Sequence, residues 1–426
     1  MDFSEDFLHF IWQFRLFNSA KLYCADGRTL QILHPGTLNK DAGPDFSMAK
    51  LVIDQTTWVG QVEIHIKSSD WLAHGHQNDP FYNTVILHVV YKHDVSIYGT
   101  NGSLLPVLVL ENLFPKPLLA NYHELTASLN SFPCQKHIAS LDQFIIEGFL
   151  SRVLIERFEQ KSEEVFLKLE AHCGDWEQVF YYFLARNFGF KVNAVPFELL
   201  ANALPQQILL KHQDNPLQVS ALLFGQAGFL DQQFYEPYPI KLQKEYAFLK
   251  KKYRLIAVDR ALWKFLRMRP QNFPTVRLAQ FAALNLKSSK LFSKVLEAET
   301  LSELYFLFSD LPVNEYWQTH YHFNKNADHV VVQPGLRSVQ NIIINTVCLF
   351  LFSFGKYTDQ PALVERAFDF LEKIPAESNF IVNQYVKEGV KADRAFASQA
   401  LLQLNKCYCN QKKCLNCGIG IKILKK

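Results

Sequence analysis

Residues 43–71 read GPDFSMAKLVIDQTTWVGQVEIHIKSSDW, a stretch that resolves into two strands joined by a turn. Successive strand side chains point to opposite sides, so Trp58, Val62, Ile64 and Ile66 share one face of the second strand. Gln61, Glu63, His65 and Lys67 share the other face, setting an amide, a carboxylate, an imidazole and an ammonium in one row. Asp45 enters from the start of the neighbouring strand as a second carboxylate. Such a row suits a divalent metal and a phosphate, because hard cations take carboxylate oxygens and activate water for attack on phosphorus.

Outward from this pair the pattern is mixed α/β. Ser4 reads as an N-cap, and Phe7, Phe10, Ile11 and Phe14 repeat at helical spacing, predicting a helix over 4–18. Short strands are expected at Lys21–Cys24 and Thr29–Leu33, then Phe46–Ile53, Trp58–Lys67, Thr84–Tyr91 and Leu105–Leu110, the last after a Gly99–Gly102 turn. From about Asp142 the apolar period lengthens to three or four residues, and nearly everything beyond reads as helix. Pro115, Pro117 and Pro133 mark 115–136 as a hinge. The pattern therefore divides into an α/β domain over 1–135, a large, mostly α-helical domain over 136–405, and a cysteine-rich metal-binding tail over 406–426.

The chain of 426 residues is 49% hydrophobic and 20% charged, ample for a packed core, and its 36 Phe point to aromatic helix packing. A net charge of +3 gives no strong overall field, so a nucleic-acid partner would be held by local patches. The acidic start MDFSEDFLHF lacks the basic region of a signal peptide. The apolar run Ile342–Phe354 falls short of the roughly 20 residues that span a bilayer, so a buried helix is expected and no membrane partner. Scattered Cys24, Cys134, Cys173 and Cys348 suit a reducing, cytoplasmic setting.

Two further groups of residues carry chemistry. Asp70, His74 and His76 follow the second strand in a loop dense with metal-capable side chains, to which His88 on the next strand could add. With His65, these histidines could also serve a transition-metal hydrolase, since imidazole-plus-carboxylate sets suit Mn²⁺ or Zn²⁺. In the tail, Cys407, Cys409, Cys414 and Cys417 lie close enough in sequence to predict one tetrahedral metal, zinc ahead of an iron–sulfur cluster. Arg267, Arg269 and Arg277 form a basic run that is read as structural pairing.

Pro44-Asp45 followed by Glu63-x-His65, on a helix–strand–strand–strand order over about 4–95, resembles the restriction-endonuclease-like PD-(D/E)XK nucleases. The resemblance implies a restriction-endonuclease-like mixed sheet, Mg²⁺ (or Mn²⁺) held by Asp45, Glu63 and the Ile64 carbonyl, and nucleic acid as substrate, DNA ahead of RNA. His65 stands where that family has Lys, so His65 or Lys67 is expected as base or phosphate stabiliser, with Gln61 in support. The alternatives are a non-catalytic nucleic-acid or protein binding module with a degenerate site, or another metal-dependent hydrolase. The tail's C-x6-C-x2-C resembles the end of iron–sulfur DNA glycosylases, but Ile423 stands where their last ligand falls. The whole chain also resembles a bacterial family sharing GPDF, VEIH-x-x-x-SDW-x-x-H-x-H, RP-x-N-x-P and the cysteine-rich end, which brings no assigned activity.

Overall fold

The computed structural model describes residues 3–99 and 102–426, so Thr100 and Asn101 of the expected Gly99–Gly102 turn lie outside the described residues. The chain divides into two compact units: Met1–Leu150 with Asn379–Lys391 and Leu401–Lys426, and Ser151–Ser378 with Ala392–Ala400. The first unit thus extends past residue 135 and takes in the cysteine-rich tail, which sequence pattern alone sets apart.

In the first unit, α1 (Glu5–Gln13) buries Phe7, Phe10 and Ile11. It is shorter than its periodicity suggests because Arg15 turns left-handed at φ 51°, which ends the helix. Ser4 sits at the N-cap position without a capping side-chain bond. The sheet then builds from β1 (Leu22–Tyr23), β2 (Thr29–His34), β3 (Thr37–Leu38), β4 (Phe46–Ile53) and β5 (Thr56–Lys67). After a short helix, α2 (Asp70–Ala73), come β6 (Val85–Lys92), β7 (Val107–Val109) and α3 (Lys116–Ala127). Strand order is β1-β2-β4-β5-β6-β7, with β3 paired to β4. The β2, β4 and β5 pairings are antiparallel, whereas β6 joins β5 in parallel and β7 joins β6 in parallel. The proline-marked segment is no bare hinge. It holds α3, with Pro117 in the first turn, where its missing N–H costs no helical bond.

Two local devices aim the functional strands. Asp54 turns left-handed between Ile53 and Thr56, closing β4 onto β5, and its Oδ1 accepts from the Thr29 backbone N–H at 2.9 Å. A bulge breaks the β4–β5 register between Phe46 and Ala49, with Met48 at φ 57°. Bulges bend a strand and redirect its side chains, and this one lies just beyond Asp45. On the other side, Gly60 of β5 lets β6 approach closely: a Cβ there would stand 2.5 Å from Ile86 Cγ2 and 2.7 Å from the Thr84 carbonyl oxygen.

The second unit is helical apart from a small ribbon, His320–His322 against Lys325–Asn326. Its core bears out the aromatic expectation: Phe292 stacks on Trp176 at 5.7 Å and meets Phe180 and Phe350 at tilted or edge-on angles. The span Leu336–Tyr357 is long and apolar enough to cross a membrane, yet it is mostly buried inside the protein, as a core helix is. A π-helical turn, Ile343–Val347, interrupts it.

Because the Thr84 backbone oxygen just ahead of β6 cannot yield as a flexible side chain can, Gly60→Ala is expected to force β5 and β6 apart. The expected cost is about 1–3 kcal/mol, the usual range for overpacking, read as a lowered midpoint in denaturant with an unchanged slope.

Candidate metal centre

Glu63 and His65 lie two residues apart on β5 and are both buried. Parallel pairing sets Glu63 opposite His88 on β6, so the three side chains share one face. His65 Nδ1 is 2.9 Å from His88 Nε2, and His65 Nε2 is 3.1 Å from His74 Nδ1. His74 and His76 reach this face because α2 and the following turn fold back beside β5. Asp70 anchors that turn: its Oδ2 accepts from the Lys67 backbone N–H at 2.8 Å.

Among the described residues, His65, His74 and His76 offer ligand nitrogens that all lie within 4.8 Å of one another. Glu63 Oε1 stands 3.3 Å from His76 Nε2 and 3.5 Å from His65 Nε2. These separations match the edge of a tetrahedron around a zinc-sized ion, about 3.3 Å for ligand bonds of roughly 2.0–2.1 Å. His76 Nε2 is buried and makes no hydrogen bond, although Glu63 Oε1 is only 3.3 Å away. The residues present therefore fit a transition-metal ion held by imidazole and carboxylate.

Asp45 sits at the rim of this group. Its backbone N–H donates to Glu63 Oε2 at 3.1 Å, and its Oδ2 accepts from the Ile64 backbone N–H at 2.9 Å. The same Oδ2 lies 3.1 Å from His9 Nε2 on α1. The two expected carboxylates are thus brought together, but Asp45 Oδ2 is already engaged. His9 was not legible as a site residue, because α1 declares only its apolar stripe; the available signal is Glu5 and His9 one turn apart on its polar side.

Electrostatics separates the groups. Burial pushes the Glu63 carboxyl up to about 9, with Asp45's charge adding to the effect. Burial, then the neighbouring His74 and His76, hold His65 down to about 4. Burial likewise lowers His76. Burial opposes charging of His9, but the Asp45 carboxylate 3.1 Å away outweighs it, and its pKa rises. At neutral pH His65 and His76 are thus neutral, as ligands must be, while His9 is biased toward the cation.

The other expected residues fall elsewhere. Lys67 is exposed at the end of β5, within electrostatic range of Asp94, and stays out of the cluster. Gln61 is half-buried, with its side-chain oxygen unpaired, one strand position-pair before Glu63. Arg277 is buried, donating to Asn272 Oδ1 at 2.6 Å and Ser338 Oγ at 3.0 Å, which bears out a structural reading of that arginine. In the tail, Cys409, Cys414 and Cys417 are buried but Cys407 is only half-buried.

Beside the cluster, a cleft of about 610 Å³ runs past His76, lined among others by Trp58, Trp71, Tyr82, Tyr98 and Arg28. Trp58 and Tyr98 are exposed there. His76 stacks on Tyr82 at 3.8 Å between ring centres, joining the imidazole cluster to the aromatic wall.

A family model described as a protein of unknown function (DUF2851) matches residues 5–380. The chain belongs to that family. The DUF2851 match takes in every residue of the imidazole–carboxylate cluster and ends before the cysteine-rich tail. No curated protein and no solved structure matches the chain.

Cation binding at this centre must displace the Glu63 proton while leaving His65 and His76 neutral. Affinity for Mn²⁺ or Zn²⁺ is therefore expected to rise about tenfold per pH unit from near pH 7 toward 9, with one proton released. Calorimetry in buffers of different ionisation enthalpy measures that proton, and Glu63→Gln should abolish both the slope and the release.

Proposed function

We propose that this protein is a metal-dependent hydrolase of nucleic-acid phosphodiester bonds, with its metal held by Glu63, His65, His74 and His76. The observation that carries the reading is the convergence of Glu63 Oε1, His65 Nε2 and His76 Nε2 at separations suited to one tetrahedral ion. Support for phosphodiester chemistry comes from element order. With the two-residue strands β1 and β3 set aside, α1, β2, β4, β5, α2 and β6 run in the α-β-β-β-α-β order that the nuclease resemblance implies, with β6 parallel to β5, and Asp45 and Glu63 are the two carboxylates of that resemblance. Imidazole in place of the usual lysine moves the preferred metal from Mg²⁺ toward Mn²⁺ or Zn²⁺.

The roles then divide as follows. The ion, when bound, would take a water as a further ligand beyond its four protein ligands, lower that water's pKa and polarise a phosphoryl oxygen. Glu63, His65, His74 and His76 would hold it, and His88, whose Nε2 lies 2.9 Å from His65 Nδ1, would fix the His65 ring with Nε2 facing the ion. Asp45, 3.1 Å from His9 Nε2, would orient His9, and His9 as a cation would serve the phosphate in place of the exposed Lys67. The aromatic cleft supports a single-stranded or frayed substrate, because unpaired bases stack on exposed Trp and Tyr without sequence preference.

Cleavage of single-stranded and duplex DNA and RNA with Mn²⁺, Zn²⁺ or Mg²⁺ tests this. His76→Ala and Glu63→Gln are expected to lose activity by more than the roughly 10–100-fold typical of outer-shell changes, and Lys67→Ala to change it only a few-fold. No cleavage by the wild type, with nucleic-acid binding unaltered by Glu63→Gln, would instead establish a binding module.

A further inference from the structure

The tail is read as a structural metal site, and the inference below rests on that reading while reassigning its ligands. Cys407 and Cys409 both lie in a π-helical turn, Asn405–Cys409. Residues two apart on a helical turn point to nearly opposite sides, so the two sulfurs cannot close on one ion. Burial follows the same division: Cys409 is buried with Cys414 and Cys417, and Cys407 is not.

A fourth buried thiol arrives from far away in sequence. Cys134 follows α3, where its carbonyl accepts from the backbone N–H groups of His137 and Ile138, both at 3.0 Å. Cys409, Cys414 and Cys417 all lie within electrostatic range of its sulfur. Packing holds this loop against the tail. Phe132 stacks on Tyr385 at 4.0 Å, and the Tyr385 hydroxyl donates to Cys409 Sγ at 3.2 Å. Lys412 reaches from the tail to the carbonyls of Thr126 and Ser128.

The Cys414–Cys417 segment has the form of a thiolate knuckle. The Cys417 backbone N–H donates to the Cys414 carbonyl at 3.3 Å, making a tight turn. The backbone N–H groups of Ile419 and Gly420 then donate toward the Cys417 sulfur. Gly420 permits this curl, since a Cβ there would lie 2.4 Å from the Cys414 carbonyl oxygen. Burial pushes the Cys417 thiol up to about 11, and these two backbone N–H groups oppose that rise by favouring the thiolate, the form that binds metal.

We propose that Cys134, Cys409, Cys414 and Cys417 bind one zinc-type ion, that Cys407 is not a ligand, and that the ion fastens the tail to the loop after α3. Zinc is favoured because four thiolates on a closed, buried site meet its tetrahedral structural preference.

The test is Co²⁺ reconstitution of the full chain, read by the sulfur-to-cobalt charge-transfer absorption, which the histidine centre does not produce. Wild type and Cys407→Ser should give the same tetrathiolate spectrum. Cys134→Ser should lose about a quarter of the charge-transfer intensity or lose the ion altogether. Because Cys134→Ser could fail to fold, the wild type is also alkylated with and without chelator. Chelation should expose Cys134, Cys409, Cys414 and Cys417 together and leave Cys407 labelling unchanged. A full spectrum in Cys134→Ser with loss in Cys407→Ser would overturn the ligand assignment and keep the metal site. No thiolate–cobalt band in any variant would overturn the site itself, and a brown protein absorbing near 400 nm would replace zinc with an iron–sulfur cluster.

Discussion

A carboxylate buried at the centre of a sheet is the constraint on which the first unit depends. Glu63 lies on β5 between β4 and β6, where an isolated charge would be far too costly. The surrounding structure answers that cost with polar partners: the Asp45 backbone N–H, two imidazoles within 3.5 Å, and a proton held on the carboxyl itself. A cation would replace the proton and satisfy the imidazoles at once. The bulge beyond Asp45, the close β5–β6 contact at Gly60 and the fold-back of α2 each serve to bring those partners to Glu63.

The cluster also sets apart two kinds of histidine. His65, His74 and His76 have ring nitrogens turned toward one another, an arrangement of like groups that hydrogen bonding alone satisfies poorly. His9 instead pairs with a carboxylate and is biased toward its charged form. Neutral imidazoles on one side and a cation on the other are what the proposed chemistry requires, because phosphate oxygens can be shared between a metal and a positive side chain.

Much of this was legible in residues 43–71. Strict alternation on β5 places Glu63 and His65 together, and the density of His74, His76 and Asp70 marks the following loop. What was not legible depends on contacts distant in sequence or on local irregularity. His9 meets Asp45 only because α1 packs against β5, and an apolar helical stripe says nothing of its polar side. Lys67 obeys the alternation but lies where the strand ends and the chain turns out toward Asp94. Cys407 shares a helical turn with Cys409 and is less buried than it, and Cys134 lies in a loop that no spacing rule links to the tail. Likewise, Pro117 marks a helix start as readily as a hinge.

Diffraction from Mn²⁺- or Zn²⁺-soaked crystals, recorded at the metal's absorption edge, tests the metal centre most directly. An anomalous peak roughly 2.0–2.2 Å from His65 Nε2, His74 Nδ1 and His76 Nε2, with Glu63 as the fourth protein ligand, is the expected result. A map with no peak there, the imidazoles still bonded to one another, or a metal on Asp45 alone would contradict it.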